Sequence, residues 1–224
     1  VVAVVLGSFA RVSAQCMQSA LPLDAPIALV LSGGGAKGAW EAGVASALLR
    51  GGLAPSLAAG SSAGALTAVM VADGRLDRLE AVWRTLTANQ VFALRPSVFF
   101  SGLLPGWLTL LALNEVRSLL DPRPLRELIA STLDLERVRA SPISVLVVTT
   151  DLVRRRTRVF DNRTISVDAL VAASAVPGVF PPVSVGGDLL VDGGLVGRAP
   201  ILEALASGVP LKRALVLMSY APEG

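Results

Sequence analysis

The sequence predicts an α/β fold: one domain with a mostly parallel central sheet flanked by helices. Three observations carry that expectation. Two apolar runs of strand length, Ile27 to Ser32 and Leu57 to Ser61, each end in small residues and feed straight into a helical pattern. Repetition of this unit points to parallel pairing, because a parallel crossover needs an intervening helix of about this length. A chain of 224 residues suits one sizeable core better than two.

The elements follow in order. After the first run, Trp40, Val44, Ala47 and Leu48 recur at helical spacing, and "AGALTAVMVA" from Ala63 does the same with smaller residues. Leu76 to Ala88 continues as helix. Val98 to Leu113, "VFFSGLLPGWLTLLAL", is apolar but broken by Pro105. It reads as a buried helix pair or as a lid or acyl channel. "DPRPLRELIAS" from Asp121 has prolines where a helix starts. Ile143 to Thr149 is continuous and β-branched, as in a fully buried strand. "RRRTRVF" alternates into a hairpin partner, "VDALVAASA" is helical, "PGVFPPV" is a proline-fixed loop, and Leu189 to Val191 is a brief strand ending in "DGG". Arg154, Arg155, Arg156 and Arg158 read as a solvated hairpin or as a patch drawn to anionic lipid headgroups.

Hydrophobic residues reach 53%, which raises the question of a membrane. The longest apolar segment, Val98 to Leu113, falls short of the roughly 20 residues that cross a bilayer. A net charge of +3 with few aromatics gives nucleic-acid binding little support. Cys16 is the only cysteine, which excludes an internal disulfide or a cysteine zinc cluster within this chain. "VVAVVLGSFA" followed by small residues at Val12, Ser13 and Ala14 makes residues 1–25 read as the remnant of an export leader. The protein would then be periplasmic, outer-membrane-associated or secreted. The alternative is a short strand or helix at the domain edge, with a cytoplasmic, membrane-peripheral protein. The domain is expected over 26–224, with a truncated C-terminal end, because Arg213 to Tyr220 is a buried-strand pattern with no closing helix after it.

Glycines carry the first functional signal. Gly33, Gly35 and Gly38 fit the G-x-G-x-x-G dinucleotide fingerprint, but no carboxylate stands between Glu41 and Asp73 to hold a ribose. A phosphate-binding P-loop fails as well, since Lys37 precedes Gly38 and Ala39 stands where a hydroxyl is needed.

Gly60-Ser61-Ser62-Ala63-Gly64 is G-x-S-x-G at the junction of a strand and a small-residue helix, the setting of a nucleophile elbow. That frame selects Ser62, and Ser61 reads as a polar residue satisfying the turn. The chain has no histidine, so a Ser-His-Asp triad cannot form within it. Asp192, ending an apolar strand ahead of Gly193 and Gly194, is the carboxylate best suited as base. Burial there should raise its pKa.

"GGGAKG", "GSSAG", "AASAVPGVFPPV" and "DGG", in that order from Ile27 onward, resemble the patatin-like phospholipases, serine acyl hydrolases of three-layer α/β architecture with a Ser-Asp dyad. The resemblance implies Ser62 as nucleophile, Asp192 as base, and Gly33, Gly34, Gly35, Ala36, Lys37 and Gly38 as the oxyanion loop. Bare amides of Gly33, Gly34 and Gly35 at a helix start would donate to the oxyanion, with Lys37 adding positive potential. It implies no metal or organic cofactor, an acyl-ester lipid such as a phospholipid or lysophospholipid as substrate, a lipid-degrading role and contact with a membrane surface. The family usually shows Asn two residues before a proline after its DGG, whereas Arg198 precedes Ala199 and Pro200 here. Two rival readings stay open: a catalytically silent lipid-binding protein, and a nucleotide-binding protein using the first glycine loop.

Overall fold

The computed structural model describes residues 2–6, 26–94, 118 and 120–220. Cys16 and Val98 to Leu113 lie outside these residues. Five strands run parallel in the order β1 (Val2–Leu6), β10 (Arg213–Met218), β2 (Ile27–Leu31), β3 (Leu57–Ser61) and β6 (Ser144–Asp151). β7 (Arg156–Phe160) and β9 (Asp188–Asp192) pair antiparallel with β6, and β8 (Val183–Val185) closes the edge beside β9. The expected mostly parallel sheet is therefore present. Its antiparallel end was legible only as a hairpin at "RRRTRVF". A separate two-residue ladder joins β4 (Ala93–Leu94) to β5 (Leu120–Asp121).

Strand alternation divides the core into two faces. Ile27, Leu29, Leu31, Ala58, Leu215 and Leu217 pack under α1 (Gly38–Arg50), α2 (Ala63–Asp73) and α3 (Leu76–Thr85). Their neighbours Ala28, Val30, Ala59 and Val216 point the other way, toward α8 (Ile201–Leu205). The short α4 (Ala88–Val91) follows α3, while α5 (Arg123–Thr132), α6 (Leu135–Arg139) and α7 (Val167–Ala173) close the core around Val145, Val147 and Leu190. Helix, sheet and helix make three layers. Among the described residues no helix is long and apolar enough to cross a membrane.

One feature of the sheet positions the site. β6 is long enough to serve three partners: Val148 is paired with both Ser61 of β3 and Val159 of β7, and Thr150 with both Thr157 of β7 and Val191 of β9. A strand has two edges, so β3 and β9 must share the one opposite β7. They approach along it from opposite directions, β3 ending at Ser61 beside Val148 and β9 at Asp192 beside Thr149. The residues that follow or end these strands, Ser62 and Asp192, are thereby brought to one place.

Two of the four arginines in the run are paired: Arg154 with Asp151 and Asp188, and Arg158 with Asp188 while stacking on Phe160.

Close packing of α2 on β2 depends on Gly64, where an added Cβ would lie 2.4 Å from the Ser32 carbonyl oxygen. Gly64→Ala should therefore destabilise the fold by about 1–3 kcal/mol through overpacking. Gly43, exposed in the middle of α1 with open space around it, should behave oppositely, Gly43→Ala gaining about 0.5–1 kcal/mol of helix propensity. Urea unfolding of the two variants beside the wild type checks both signs.

Candidate active site

Ser62 sits between β3 and α2 at φ 53° and ψ −130°. Such a backbone is costly for a residue with a Cβ and persists only where surroundings enforce it. Here they do. A Cβ at Gly60 would lie 2.2 Å from the Gly64 carbonyl oxygen, so the turn itself requires the glycine two before Ser62, while the one two after is required by packing on Ser32. The Ser62 N–H donates to the Ala173 carbonyl at 3.1 Å, tying the elbow to the end of α7. Ser61 faces the other way, its hydroxyl donating to the Arg198 carbonyl at 3.1 Å.

Asp192 is buried. Its N–H donates to the Ala175 carbonyl at 3.0 Å, two residues beyond the anchor of Ser62, so the "AASA" segment holds both residues in register. Gly193 turns hard against β6, where a Cβ would lie 2.3 Å from the Val148 carbonyl oxygen. Gly194 donates its N–H to Asp192 Oδ1 at 2.7 Å. Oδ2 is buried with no regular hydrogen-bond partner among the described residues. Burial raises the Asp192 pKa, as expected from the sequence, and the Ser62 hydroxyl and Gly194 N–H oppose that rise. Ser62 and Asp192 line one cavity.

Gly33 lies against the elbow, with a Cβ there expected 3.0 Å from Ser62 Cβ. Its own N–H, expected among the oxyanion donors, donates instead to the Arg198 carbonyl at 2.8 Å. Lys37 and Gly38 close the short 3-10 turn Gly35–Lys37 by donating to the Gly34 and Gly35 carbonyls. The N–H groups of Gly34, Gly35 and Ala36 have no partner among the described residues, as the start of a helical turn leaves them. The unpartnered amides therefore run from Gly34 to Ala36 rather than from Gly33 to Gly35. The Lys37 side chain is exposed at the rim.

A buried polar cluster beneath this loop was not anticipated. Glu41, on α1 and fully buried, accepts from the Ser32 N–H at 3.1 Å and the Ser32 hydroxyl at 2.5 Å. The Ser32 hydroxyl in turn accepts from the Ser219 N–H at 3.0 Å, and the Ser219 hydroxyl donates to the Gly33 carbonyl at 3.1 Å. A planar trans peptide sends its N–H opposite to its C=O. Holding the Gly33 carbonyl down onto Ser219 therefore turns the Gly34 N–H outward. Burial raises the Glu41 pKa to about 7, against opposing hydrogen bonds from Ser32 and Ser219.

Two cavities, each of about 420 Å3, open on Ser62. One is walled by apolar side chains, among them Leu66, Met70, Trp83, Phe92, Leu125 and Phe180. The other contains Asp192, Lys37, Arg198 and Tyr220. No cluster of potential metal ligands occurs among the described residues.

The family model of the patatin-like phospholipases matches residues 29–205 of this chain. The chain belongs to the patatin-like phospholipase family. Proteins of Mycobacterium tuberculosis and Mycobacterium bovis described as uncharacterized NTE family proteins are 34% identical to this patatin domain over 177 residues, 78% of this chain and 44% of each relative. The chain thus spans less than half the length of those relatives. The crystal structure of VipD from Legionella pneumophila has the same patatin fold, with a TM-score of 0.56 at 17% identity over 86% of this chain and 49% of VipD.

The Glu41 cluster makes patatin-domain stability depend on pH. The folded state keeps the Glu41 proton up to about pH 7, whereas the unfolded chain loses it near the ordinary 4.5. The folded state binds more protons between those values, so stability falls as pH rises through that window, by on the order of 3 kcal/mol. Glu41→Gln cannot ionise. Relative to wild type it should gain stability from pH 5 to pH 8, measured by urea unfolding at both; a pH-independent difference between the two proteins contradicts the assignment.

Proposed function

We propose that this patatin domain hydrolyses fatty acyl esters of lipids, with Ser62 as nucleophile and Asp192 as general base. The observation that carries this reading is the convergence of β3 and β9 on one edge of β6, which sets a strained serine beside a buried carboxylate with a free oxygen. A phospholipid or lysophospholipid suits the two-sided site. The apolar cavity supports burial of an acyl chain, at about 0.8 kcal/mol per methylene. Val176 and Leu195, exposed at the mouth of the second cavity, support contact with a lipid surface.

In the proposed reaction Asp192 Oδ2 takes the hydroxyl proton as Ser62 Oγ bonds to the ester carbonyl carbon. The resulting oxyanion accepts hydrogen bonds from Gly34 and Gly35, supported by the N–H of Ala63 at the start of α2. Each such donor contributes about 3 kcal/mol to the transition state. Collapse breaks the bond to the alcohol, which leaves with the proton from Asp192. Water then attacks the acyl-Ser62 carbonyl, Asp192 takes a proton from the water, and Ser62 Oγ recovers it as the fatty acid departs. Only a deprotonated Asp192 starts this cycle. Burial raises its pKa and so makes it a stronger base.

Ser62→Ala should abolish both ester hydrolysis and fluorophosphonate labelling. Asp192→Asn should lower kcat about a thousand-fold with unchanged circular dichroism. Wild-type kcat/KM should rise with pH through an acid limb lying above the ordinary aspartate value. Labelling that survives Ser62→Ala points to another nucleophile, and liposome binding without turnover favours the silent lipid-binding reading.

A further inference from the structure

The two cavities at Ser62 share Gly35 and Val176 but differ in what else they present. Asp192 lines only the second. In the reaction proposed above, the acid that protonates the departing oxygen must face the alcohol, so the alcohol side of the ester belongs in the cavity that contains Asp192. The acyl chain then occupies the apolar cavity. The polarity of the substrate across Ser62 follows from these two placements.

The second cavity carries two cations, Lys37 and Arg198. Neither has an acidic partner among the described residues, in contrast to Arg154, which is paired with Asp151 and Asp188, and Arg137, which is paired with Asp73. Among the described residues Asp192 is the only carboxylate lining this cavity, so the two cations outweigh it even when it is ionised, as the proposed reaction requires. The Arg198 guanidinium lies over the Tyr220 ring at 4.9 Å, a stacking that restricts the side chain and leaves its edge N–H groups available. Its backbone is fixed independently, the carbonyl accepting from Gly33 N–H and Ser61 Oγ. A preset guanidinium fork beside an ammonium suits a tetrahedral anion with several acceptor oxygens.

We infer that the second cavity is the leaving-alcohol subsite and that Arg198, assisted by Lys37, selects esters whose alcohol carries a phosphate. The inference rests on the acyl-hydrolase reading of Ser62 and Asp192. Arg198 is a specificity residue in it, because its main chain holds the loop and its side chain meets the substrate. Both cations are exposed, so the selection weakens with added salt.

The test compares two esters with one acyl chain, a monoacylglycerol and the corresponding acylglycerol phosphate, at equal surface fraction in neutral-detergent micelles. Wild type should favour the phosphate-bearing ester about ten-fold in kcat/KM, mainly through KM, with the ratio falling at high salt. Arg198→Asn, and Arg198→Gln as a second variant closer in length, should bring the ratio near one, whereas Arg198→Lys should keep most of it. A ratio unchanged in both neutral variants overturns the subsite. Binding of Ser62→Ala and Ser62→Ala/Arg198→Asn to the same micelles reads recognition without turnover. Arg198-dependent preference for phosphate with no hydrolysis by wild type sinks the hydrolase reading and keeps the subsite; hydrolysis with no such preference sinks the subsite alone. Inorganic phosphate should compete with the phosphate-bearing ester in wild type. Equal competition in Arg198→Asn assigns the anion to another site and overturns the inference.

Discussion

The site depends on a shared strand edge. β6 gives one edge to β7 and divides the other between β3 and β9, which run toward each other and stop one residue apart in register. Every further contact in the site presumes that meeting. The Ala173 and Ala175 carbonyls hold Ser62 and Asp192 from the same short segment, and Gly193 approaches β6 too closely for any side chain. Because these are main-chain contacts within a rigid sheet, the geometry does not rest on the rotamers of long side chains, which are entropically costly to fix.

The same economy bears on Arg198, which stands where the family resemblance implied an Asn. What fastens the loop is the carbonyl of residue 198, which accepts from both the glycine loop and the elbow. A carbonyl is present whatever the side chain. The main chain of Arg198 thus joins the three motif loops, while its side chain lies over Tyr220 and lines the cavity.

Legibility in the sequence followed the range of the interactions. "GSSAG" could be read as an elbow because the steric demand on its first glycine is local, Gly60 against the Gly64 main chain. The parallel units around Ile27 and Leu57 were legible from periodicity for the same reason. Three features were not. The Gly33 amide looked free because its acceptor, Arg198, is remote in sequence. Glu41 stands in the first turn of a helix, where acidic residues are common, and its buried partners Ser32 and Ser219 follow two strands distant in sequence. The antiparallel arrival of β9 on the β3 edge is a property of sheet register, which no local pattern encodes. The roles of Ala173 and Ala175 were likewise hidden, since carbonyl acceptors leave no trace in residue identity.

Two carboxylates near the elbow are pushed toward their neutral forms by burial, and their surroundings divide them. Glu41 is enclosed by Ser32 and the packed end of β10, and its contacts lead outward only through hydroxyls to the Gly33 carbonyl. It orders a peptide. Asp192 has one oxygen held by Gly194 and the other unpaired, on the wall of a cavity that also contains Ser62. An unpaired buried oxygen is costly unless a proton or a donor arrives. In the proposed reaction the attacking hydroxyl supplies that proton. The burial that raises the Asp192 pKa would then make it a stronger base for that hydroxyl.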